Sequence, residues 1–175
     1  MKILYGPDFC FNEPMAVTIG KFDGVHEGHI KIINNLIDVS KKYKIKNVVY
    51  TFDKNPKIVL NHDNFLPLMS NDEKSYALER LGIDYLVYEK FDENFSNLTP
   101  ERFVKDILIN KLNVRAIIMG ENSTFGKERS GDLRLMKDFG KKYGFDVYSV
   151  ELIRKNGEVI SSSSLRKSCG MKILN

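Results

Sequence analysis

Short runs of β-branched and aliphatic residues alternate along this chain with longer segments in which apolar residues recur at helical spacing. Met15–Ile19 is the first clear apolar run and ends at Gly20. After a glycine-rich turn, apolar residues recur every three or four positions from Ile30 to about Tyr43. This pattern predicts a strand, a tight turn and an amphipathic helix.

The same alternation continues to the end of the chain, and helix-start signals support it. Ser70 with Glu73 is typical of a capping box, and Thr99 before Pro100 is typical of a capped first turn. Further strands are predicted over Lys46–Phe52, Asp84–Tyr88, Arg115–Met119 and Phe145–Val150. Further helices are predicted over 70–82, 99–112, 132–143 and, in the tail, just after Ser161.

Alternating strands and helices favour one fold class. Parallel strands need crossover connections, which helices supply, so we predict an α/β, doubly wound (Rossmann-like) domain with a parallel sheet flanked by helices. Ligands bind such sheets beyond the carboxyl ends of the strands, where the strand order reverses. The loops after Ile19 and Met119 are therefore the expected site. The segment 54–69, which holds Pro56 and Pro67, is predicted to be a mobile surface loop.

Composition narrows the class of protein. The chain has 175 residues, of which 42% are hydrophobic, so we expect one domain over residues 1–175. The net charge of +4 is spread along the chain, which indicates a solvated surface and no nucleic-acid partner. Cys10 and Cys169 are the only cysteines, so a reduced compartment is expected. No signal peptide or membrane-length apolar run is present, so we expect a soluble, cytoplasmic protein with no membrane partner.

The segment from Gly20 to His29 carries the candidate chemistry. Its glycines permit a sharp turn and a close approach of the backbone to a ligand, and the N-terminus of the following helix attracts phosphate. His26 and His29 would share one face of the first helical turn. A zinc pair is an alternative, although His62 and the two cysteines form no recognisable metal spacing. A second alternative is that the two histidines only pack against neighbours or face solvent. Phosphate binding is the favoured interpretation.

Four segments together resemble a known family. Gly20-x-Phe22-Asp23-Gly24-x-His26-x-Gly28-His29 resembles the HxGH signature of nucleotidylyltransferases, in the form used by the prokaryotic FAD synthetase (FMN adenylyltransferase) family. Thr51-Phe52 with Pro56 resembles the TFxPHP stretch of that family. Residues Gly120 to Asp132 resemble its flavin-side loop, GxNFxFGxxxxGD, and Ile160 to Arg166 resemble its SSTxIR motif.

The resemblance implies a reaction and a set of roles. The implied reaction transfers AMP from ATP to FMN and releases pyrophosphate, with Mg²⁺ as the expected metal and with metal ligands left unassigned. His26, His29 and Arg166 are the implied catalytic residues. The implied nucleotide-binding residues are Gly20, Phe22, Asp23, Gly24, Gly28, Ser162, Ser163 and Arg166. The implied flavin-binding residues are Asn122, Phe125, Gly126 and Asp132.

Several of these residues also admit simpler structural roles. Asp132 is as well placed to cap a helix as to bind a ligand. The serine run 161–164, taken alone, is typical of a flexible linker. Lys127, Arg129 and Lys137 are either solvated charges or phosphate contacts.

The chain departs from the family pattern at three positions and in length. Lys54-Asn55-Pro56 lacks the histidine of the second motif, Ser123 replaces an aromatic residue of the flavin loop, and Lys21 stands where asparagine is common. We expect no C-terminal riboflavin kinase domain in this chain, so that FMN would come from a separate riboflavin kinase. Transfer to another phosphorylated acceptor, such as a phosphopantetheine, nicotinamide or polyol phosphate, is one alternative function. A degenerate domain that only binds flavin or nucleotide is the other.

Overall fold

Six parallel strands form the central sheet of the computed structural model, which describes residues 1–61 and 66–168. Their order across the sheet is β1-β4-β3-β2-β5-β6. The strand order reverses between β2 and β5, whose carboxyl ends lie side by side there. The strands are β1 Lys2–Tyr5, β2 Met15–Ile19, β3 Lys46–Phe52, β4 Tyr85–Glu89, β5 Val114–Gly120 and β6 Asp146–Val150.

Most of the helices lie in the crossovers between these strands, and the last helix follows the final strand. They are α1 Glu27–Tyr43, α2 Pro56–Asn61, α3 Asn71–Leu81, α4 Glu93–Ser96, α5 Pro100–Phe103, α6 Leu133–Tyr143 and α7 Ser162–Ser168. The segment Val104–Ile109 continues α5 with π-helical hydrogen bonding, and Lys127–Arg129 forms a 3₁₀ turn. A small antiparallel hairpin, β7 Arg154–Lys155 and β8 Glu158–Val159, precedes α7.

Both faces of the sheet are covered, as the sequence predicts for a doubly wound fold. Successive strand residues point to opposite faces, so that Val49 packs with α1 and α3 while Tyr50 packs with α6 and the segment after α5. The four inner strands, β2 to β5, are largely apolar on both faces because each face is buried. The α/β fold with a parallel sheet and flanking helices is confirmed.

The predicted helix starts are present in detail. Ser70 Oγ accepts a hydrogen bond from the Glu73 amide at 3.2 Å, and Glu73 Oε2 accepts one from the Ser70 amide at 2.7 Å. Thr99 Oγ1 accepts a hydrogen bond from the Arg102 amide at 3.2 Å, and Pro100 occupies the first turn of α5. The local signals therefore fix where α3 and α5 begin.

Several features differ from the sequence predictions, among them the short helix α4, which was not predicted. The four-residue strand β1 pairs with β4 at the edge of the sheet and was not predicted. The prediction of a loop over 54–69 is wrong for its first half, where Pro56 opens α2 and Asn55 Oδ1 accepts a hydrogen bond from the Lys57 amide at 3.0 Å. The hairpin of β7 and β8 was also missed.

His62 and Cys169 lie outside the described residues, and so does the end of the chain after residue 168. Within the described ranges, no helix has the length and apolar character needed to cross a membrane.

Candidate active site

The loop after β2 has an unusual backbone that one side chain anchors to the core. Phe22, Gly24 and Val25 all have left-handed backbone angles, with φ of 48°, 86° and 37°. The Phe22 ring is 1% exposed and lies 5.1 Å from the His29 ring, centroid to centroid. Phe22, which the resemblance places at the nucleotide, therefore supports the loop from beneath with its side chain.

His26 is the N-cap of α1. Its Nδ1 accepts hydrogen bonds from the amides of Gly28 at 3.1 Å and His29 at 3.4 Å. An accepting Nδ1 carries no proton, so the proton of the neutral ring is on Nε2. Burial lowers the pKa of His26 and outweighs the nearby carboxylates of Asp23 and Glu27. His26 is therefore a neutral hydrogen-bond donor at its outer nitrogen near pH 7.

His29 stacks on His26, with ring centroids 3.7 Å apart and ring planes 21° apart. Burial is the main cause that lowers the pKa of His29 to about 3, followed by repulsion from His26 when that ring is protonated and from the positive charge of Lys74. Its Nδ1 is buried and has no hydrogen-bond partner among the residues that the structure describes. The two rings form a neutral, stacked pair with hydrogen-bonding capacity left over for a ligand.

Gly28 makes this stacked arrangement possible. A Cβ atom at position 28 would lie 3.0 Å from Cε1 and 3.1 Å from Nδ1 of His26. No side chain fits there without moving the imidazole ring. The close approach of the His26 ring to the helix backbone therefore favours glycine between the two histidines.

Asp23 connects this loop to α7 near the end of the described chain. Its Oδ1 accepts a hydrogen bond from the Leu68 amide at 2.8 Å, and its backbone oxygen accepts one from Ser162 Oγ at 2.8 Å. Its Oδ2 is paired with the guanidinium of Arg166, and both residues are buried. Asp23 thus holds together the two segments that carry the candidate phosphate-binding groups.

The serine run before Arg166 is a helix start. The Ser164 amide donates to Ser161 Oγ at 3.1 Å, and the Ser161 amide donates to Ser164 Oγ at 2.9 Å. This reciprocal pair of hydrogen bonds fixes the first turn of α7. The flexible-linker alternative for residues 161–164 is therefore wrong.

The predicted catalytic residues line one cavity of about 270 Å³, which we call the histidine cavity. His26, His29 and Arg166 meet there although Arg166 is far from the histidines in sequence. Its other lining residues are Lys21, Asp23, Asn55, Lys57, Ser161, Ser162 and Ser163. Gly20, Phe22, Gly24 and Gly28 shape the loop from behind and do not line this cavity.

A second cavity, of about 240 Å³, adjoins the first, and we call it the apolar cavity. Phe52, Pro56, Ile58, Pro67 and Met69 form its apolar wall. Lys21, Asp23 and Asn55 line both cavities. The remaining lining residues are polar or charged, namely Asp53, Lys54, Ser70, Asn71 and Lys74. Sequence reasoning missed this wall because most of it lies in the segment predicted to be a surface loop.

Two lysines of the apolar cavity have lowered pKa values. Burial is the largest cause for Lys21, followed by the positive charges of Arg129, Lys57 and Arg166, and the pKa falls to about 8. Lys74 is 6% exposed, and burial lowers its pKa as well. Lys74 Nζ lies 3.5 Å from Thr51 Oγ1.

The sequence holds a signal for Lys74 that lies outside the four motifs. Lys74, Leu78 and Leu81 recur at helical spacing and therefore share one face of α3. A lysine on the apolar face of a helix is unusual, because lysine is rarely buried without a partner. That position marks Lys74 as a residue of the protein interior.

The loop over 121–132 folds back on itself beside the carboxyl end of β5. Phe125 and Gly131 exchange backbone hydrogen bonds of 3.0 and 2.9 Å. The Phe125 ring packs 5.7 Å from the Phe103 ring, centroid to centroid. A Cβ at Gly126 would collide with Pro100 at 2.8 Å. The aromatic and glycine residues of this loop thus attach it to α5.

The structure places the four predicted flavin-side residues at this edge of the sheet but not in the two cavities. Asp132 caps α6, with Oδ1 accepting a hydrogen bond from the Leu135 amide at 2.9 Å, as the alternative for that residue predicts. Asn122 is exposed at the end of β5. Neither these two residues nor Phe125 and Gly126 line the histidine cavity or the apolar cavity.

A protein-held metal ion does not fit this site. Among the described residues, no group of three His, Cys, Asp or Glu side chains is arranged to hold a metal. Both carboxylate oxygens of Asp23 are already bonded, to the Leu68 amide and to Arg166. The zinc alternative for His26 and His29 therefore gains no support from this part of the chain.

Comparison with known proteins identifies the family. Residues 8–164 match the FAD synthetase family. The chain belongs to this family. It is 40% identical over 158 residues to the bifunctional riboflavin kinase/FMN adenylyltransferase of Buchnera aphidicola subsp. Schizaphis graminum, a match that covers 89% of this chain and 51% of that protein. The chain spans about half the length of the curated relatives that it matches first.

Solved structures support the fold of this FAD synthetase family member. A crystal structure described as a macrolide-efflux protein from Streptococcus pneumoniae superposes with a TM-score of 0.85 and 24% identity, covering 96% of this chain and 56% of that one. Pantothenate synthetase from Thermus thermophilus superposes with a TM-score of 0.60 and 16% identity, covering 94% of this chain and 67% of that one. At these identities the likeness concerns the fold alone.

Proposed function

We propose that the protein is an FMN adenylyltransferase, which transfers AMP from ATP to FMN and releases pyrophosphate. The observation that carries this proposal is the pair of adjoining cavities at the end of β2, one polar and one with an apolar wall. They share Lys21, Asp23 and Asn55, so two ligands bound in them would meet at this common wall. Membership of the FAD synthetase family supports the choice of FMN as acceptor.

In this proposal the histidine cavity takes the phosphates of ATP. The rings of His26 and His29 are neutral and donate hydrogen bonds to phosphate oxygens without transferring a proton. Ser163 adds a hydroxyl group, Ser162 fixes the Asp23 loop beside it by donating to the Asp23 backbone oxygen, and the planar guanidinium of Arg166 suits phosphate oxygens. Preorganised donors of this kind stabilise the charge that develops during transfer.

The apolar cavity takes the ring system of the acceptor. Its wall of Phe52, Ile58 and Met69 suits the flat, largely apolar isoalloxazine. The loop over 121–132 lines neither cavity, and in this proposal it borders the acceptor site from the carboxyl end of β5, where Asn122 helps to position the two substrates. The charge of Arg129, in the same loop, is close enough to lower the pKa of Lys21, which supports that arrangement.

The chemistry requires no general base. An oxygen of the FMN phosphate attacks the α-phosphorus of ATP in line, and the bond between that phosphorus and the oxygen bridging to the β-phosphorus breaks. The electron pair of the broken bond leaves with pyrophosphate. The attacking phosphate is already ionised at pH 7, since its second pKa is about 6. The protein therefore acts by positioning the groups and stabilising charge, which agrees with histidines that stay neutral.

Mg²⁺ is expected to accompany ATP. Within the described residues it has no set of carboxylate ligands, so it enters this proposal only as a counter-ion of the substrate phosphates.

Chromatography tests the proposed function directly. Purified protein with Mg²⁺, ATP and FMN is expected to form FAD and pyrophosphate in equal amounts, and no FAD at any protein concentration would overturn the proposal. Parallel reactions with phosphopantetheine, nicotinamide mononucleotide and a polyol phosphate are expected to give no adenylylated product. Flavin binding without turnover would instead favour a binding domain.

Two variants on α1 test the role of the histidine pair. His29→Ala is expected to abolish turnover while the circular dichroism spectrum stays unchanged, because it removes one ring of the stacked pair. The matched control is Asn34→Ala, an exposed position on the same helix, which is expected to retain full activity. Retained turnover in His29→Ala would refute the role assigned to this residue.

A further inference from the structure

We propose that Lys21 binds the phosphate group of the acceptor and guides it from the apolar cavity to the α-phosphate of the nucleotide. This assignment rests on the proposed function and adds to it a residue for the acceptor's charged group. Neither the family signature nor the nucleotide and flavin sets assigned from it include this position.

The position of Lys21 in the two cavities is the first argument. An acceptor whose ring lies against Phe52 and Met69 must extend its phosphate into the histidine cavity in order to attack ATP. Its path crosses the wall that the two cavities share. Three residues form that wall, namely Lys21, Asp23 and Asn55, and of these three Lys21 alone carries a positive charge.

The shared wall offers little besides Lys21 to hold a phosphate. Asp23 is negatively charged and is bonded to Arg166 and the Leu68 amide. The Asn55 side-chain oxygen accepts a hydrogen bond from the Lys57 amide at the start of α2, so Asn55 can offer a phosphate only its uncharged NH2 group. Lys21 itself is tied in place through its backbone oxygen, which accepts a hydrogen bond from Thr51 Oγ1 at 3.1 Å. The backbone of Lys21 is therefore fixed, while its long side chain can follow a phosphate that moves from one cavity to the other.

The surrounding charges are the second argument. The groups whose charges act on Lys21 come from four segments: Asp23 on its own loop, Lys57 on α2, Arg129 on the loop before α6, and Arg166 on α7. Three of these four are cations, and the one carboxylate is held by Arg166. The other titratable groups that line the two cavities are His26, His29, Asp53, Lys54 and Lys74. Packing cations together is unfavourable without an anion, so a dianionic phosphate would relieve their repulsion.

Comparison of FMN with riboflavin tests the assignment by binding alone. Riboflavin has the same ring system but no phosphate, and both ligands are followed by quenching of flavin fluorescence. Lys21→Met is expected to weaken FMN binding roughly 10- to 100-fold, as the loss of a charged hydrogen bond does, and to change riboflavin binding by less than about twofold. Equal weakening of both ligands, or no weakening of FMN, would overturn the proposal.

The matched control removes a lysine charge elsewhere. Lys41 is exposed in the last turn of α1, at the opposite end of that helix from His26. Lys41→Met lowers the net charge by the same amount and is expected to leave FMN binding and the formation of FAD unchanged. A similar loss in both variants would show that net charge, not the position of Lys21, is responsible, and would also overturn the proposal.

The pH profile of the intact protein gives a second test that needs no destabilising variant. The pKa of Lys21 in the free protein is about 8, and only the protonated form binds the phosphate. The value of kcat/KM for FMN is therefore expected to fall about tenfold per pH unit above pH 8. Lys21→Arg keeps its charge and is expected to remove this fall, whereas a fall that arises from Lys74 would persist in it.

The failure of this assignment can be distinguished from failure of the proposed function. If the protein forms FAD but Lys21→Met matches it in kcat, KM and pH profile, the assignment is wrong and the function stands. If no FAD forms, the proposed function is wrong, and the comparison of FMN with riboflavin still decides whether Lys21 binds a flavin phosphate.

Discussion

The carboxylate of Asp23 and the guanidinium of Arg166 form a buried ion pair between the loop after β2 and α7. Their side chains are 8% and 5% exposed, respectively. The two paired residues are 143 positions apart in the sequence. The ion pair therefore joins the loop that carries the two histidines to the segment that carries the serine run and Arg166. The candidate phosphate-binding groups are therefore held together by the protein itself.

The first prediction concerns the energy of this pair. Arg166→Met leaves the Asp23 carboxylate buried, with the Leu68 amide as its remaining hydrogen-bond donor to the side chain among the described residues. We expect the free energy of unfolding to fall by about 3 kcal/mol, since breaking a buried pair leaves a buried charge. In the double variant, which also carries Asp23→Asn, the free energy of unfolding is expected to fall by less than the sum of the two single decreases. The expected difference is at least about 1 kcal/mol, of the order seen for residues in contact. Urea unfolding of the four proteins measures this coupling.

An exposed ion pair provides the control for this cycle. Arg102 and Asp106 are paired one helical turn apart at 3.1 Å, with side chains 67% and 36% exposed. The same cycle at this pair is expected to give a coupling of no more than about 0.5 kcal/mol, because solvent screens the charges. Equal couplings in the two cycles would contradict the structural role assigned to the buried pair.

The second prediction concerns the stability of the protein in acid. His29 has its pKa lowered from 6.5 to about 3, so between these values the unfolded chain binds a proton that the folded protein excludes. The stability that His29 contributes is therefore present above pH 6.5 and is lost as the pH falls below it. At pH 5, which is about 1.5 units below the ordinary pKa of histidine, the free energy of unfolding is expected to be lower by about 2 kcal/mol because of this residue. Urea unfolding at pH 7.5 and pH 5.0 measures the difference.

A variant without the imidazole isolates this contribution. Asparagine does not titrate in this range. Between pH 7.5 and pH 5.0 the free energy of unfolding of His29→Asn is therefore expected to fall by about 2 kcal/mol less than that of the parent protein. The pKa of His26 is also lowered and would account for part of any fall that remains. Identical pH dependence in the parent and in His29→Asn would show that His29 is not held neutral by burial.

Much of the fold could be predicted from the sequence because its signals are local. The apolar run at 15–19, the capping box at Ser70 and the proline after Thr99 each specify a strand or a helix start without help from distant residues. The strand β1 carries no such pattern. Its four residues gain their place by hydrogen bonding to β4, from Lys2 with Tyr85 to Tyr5 with Tyr88. A pairing between segments so far apart in the chain leaves no periodicity to read.

The candidate site likewise has a part that local sequence motifs predict and a part that only the folded chain brings together. The motif residues His26, His29 and Arg166 were found from the sequence, and the structure brings them into one cavity. The apolar cavity was missed because it is assembled from the end of β3, the segment after it and the start of α3. The lowered pKa of Lys21 depends on three cations from other segments, which only the folded chain brings together.

The third prediction concerns Gly28. Alanine is favoured over glycine within a helix by about 1 kcal/mol, so considerations of helix stability alone predict that Gly28→Ala improves the protein. The added Cβ would lie 3.0 Å from the His26 ring, so the ring must shift by a few tenths of an ångström from the position in which it caps α1. We expect a loss of at least about tenfold in kcat/KM for FAD formation, since a positioned hydrogen-bond donor is moved, with the melting temperature nearly unchanged.

The control for Gly28→Ala is the exposed position 34 on the same helix. Asn34→Ala also introduces alanine into α1 but touches no candidate site residue, and it is expected to leave kcat/KM unchanged. A Gly28→Ala protein with full activity would mean that the position of the His26 ring does not matter for transfer.

The fourth prediction tests whether the loop over 121–132 serves the acceptor. A Cβ at Gly131 would lie 2.6 to 2.8 Å from atoms of the Phe125 ring, so Gly131→Ala forces that ring away from Phe103. Overpacking of this kind costs about 1–3 kcal/mol of stability. If the loop forms one side of the acceptor site, KM for FMN is expected to rise while KM for ATP stays within about twofold, because the histidine cavity is lined by other segments. Phe125→Leu combined with Gly131→Ala removes the collision and is expected to recover part of the stability, which separates loop position from folding. A rise in KM for ATP alone would assign this loop to the nucleotide, against the role proposed for Asn122 and its neighbours.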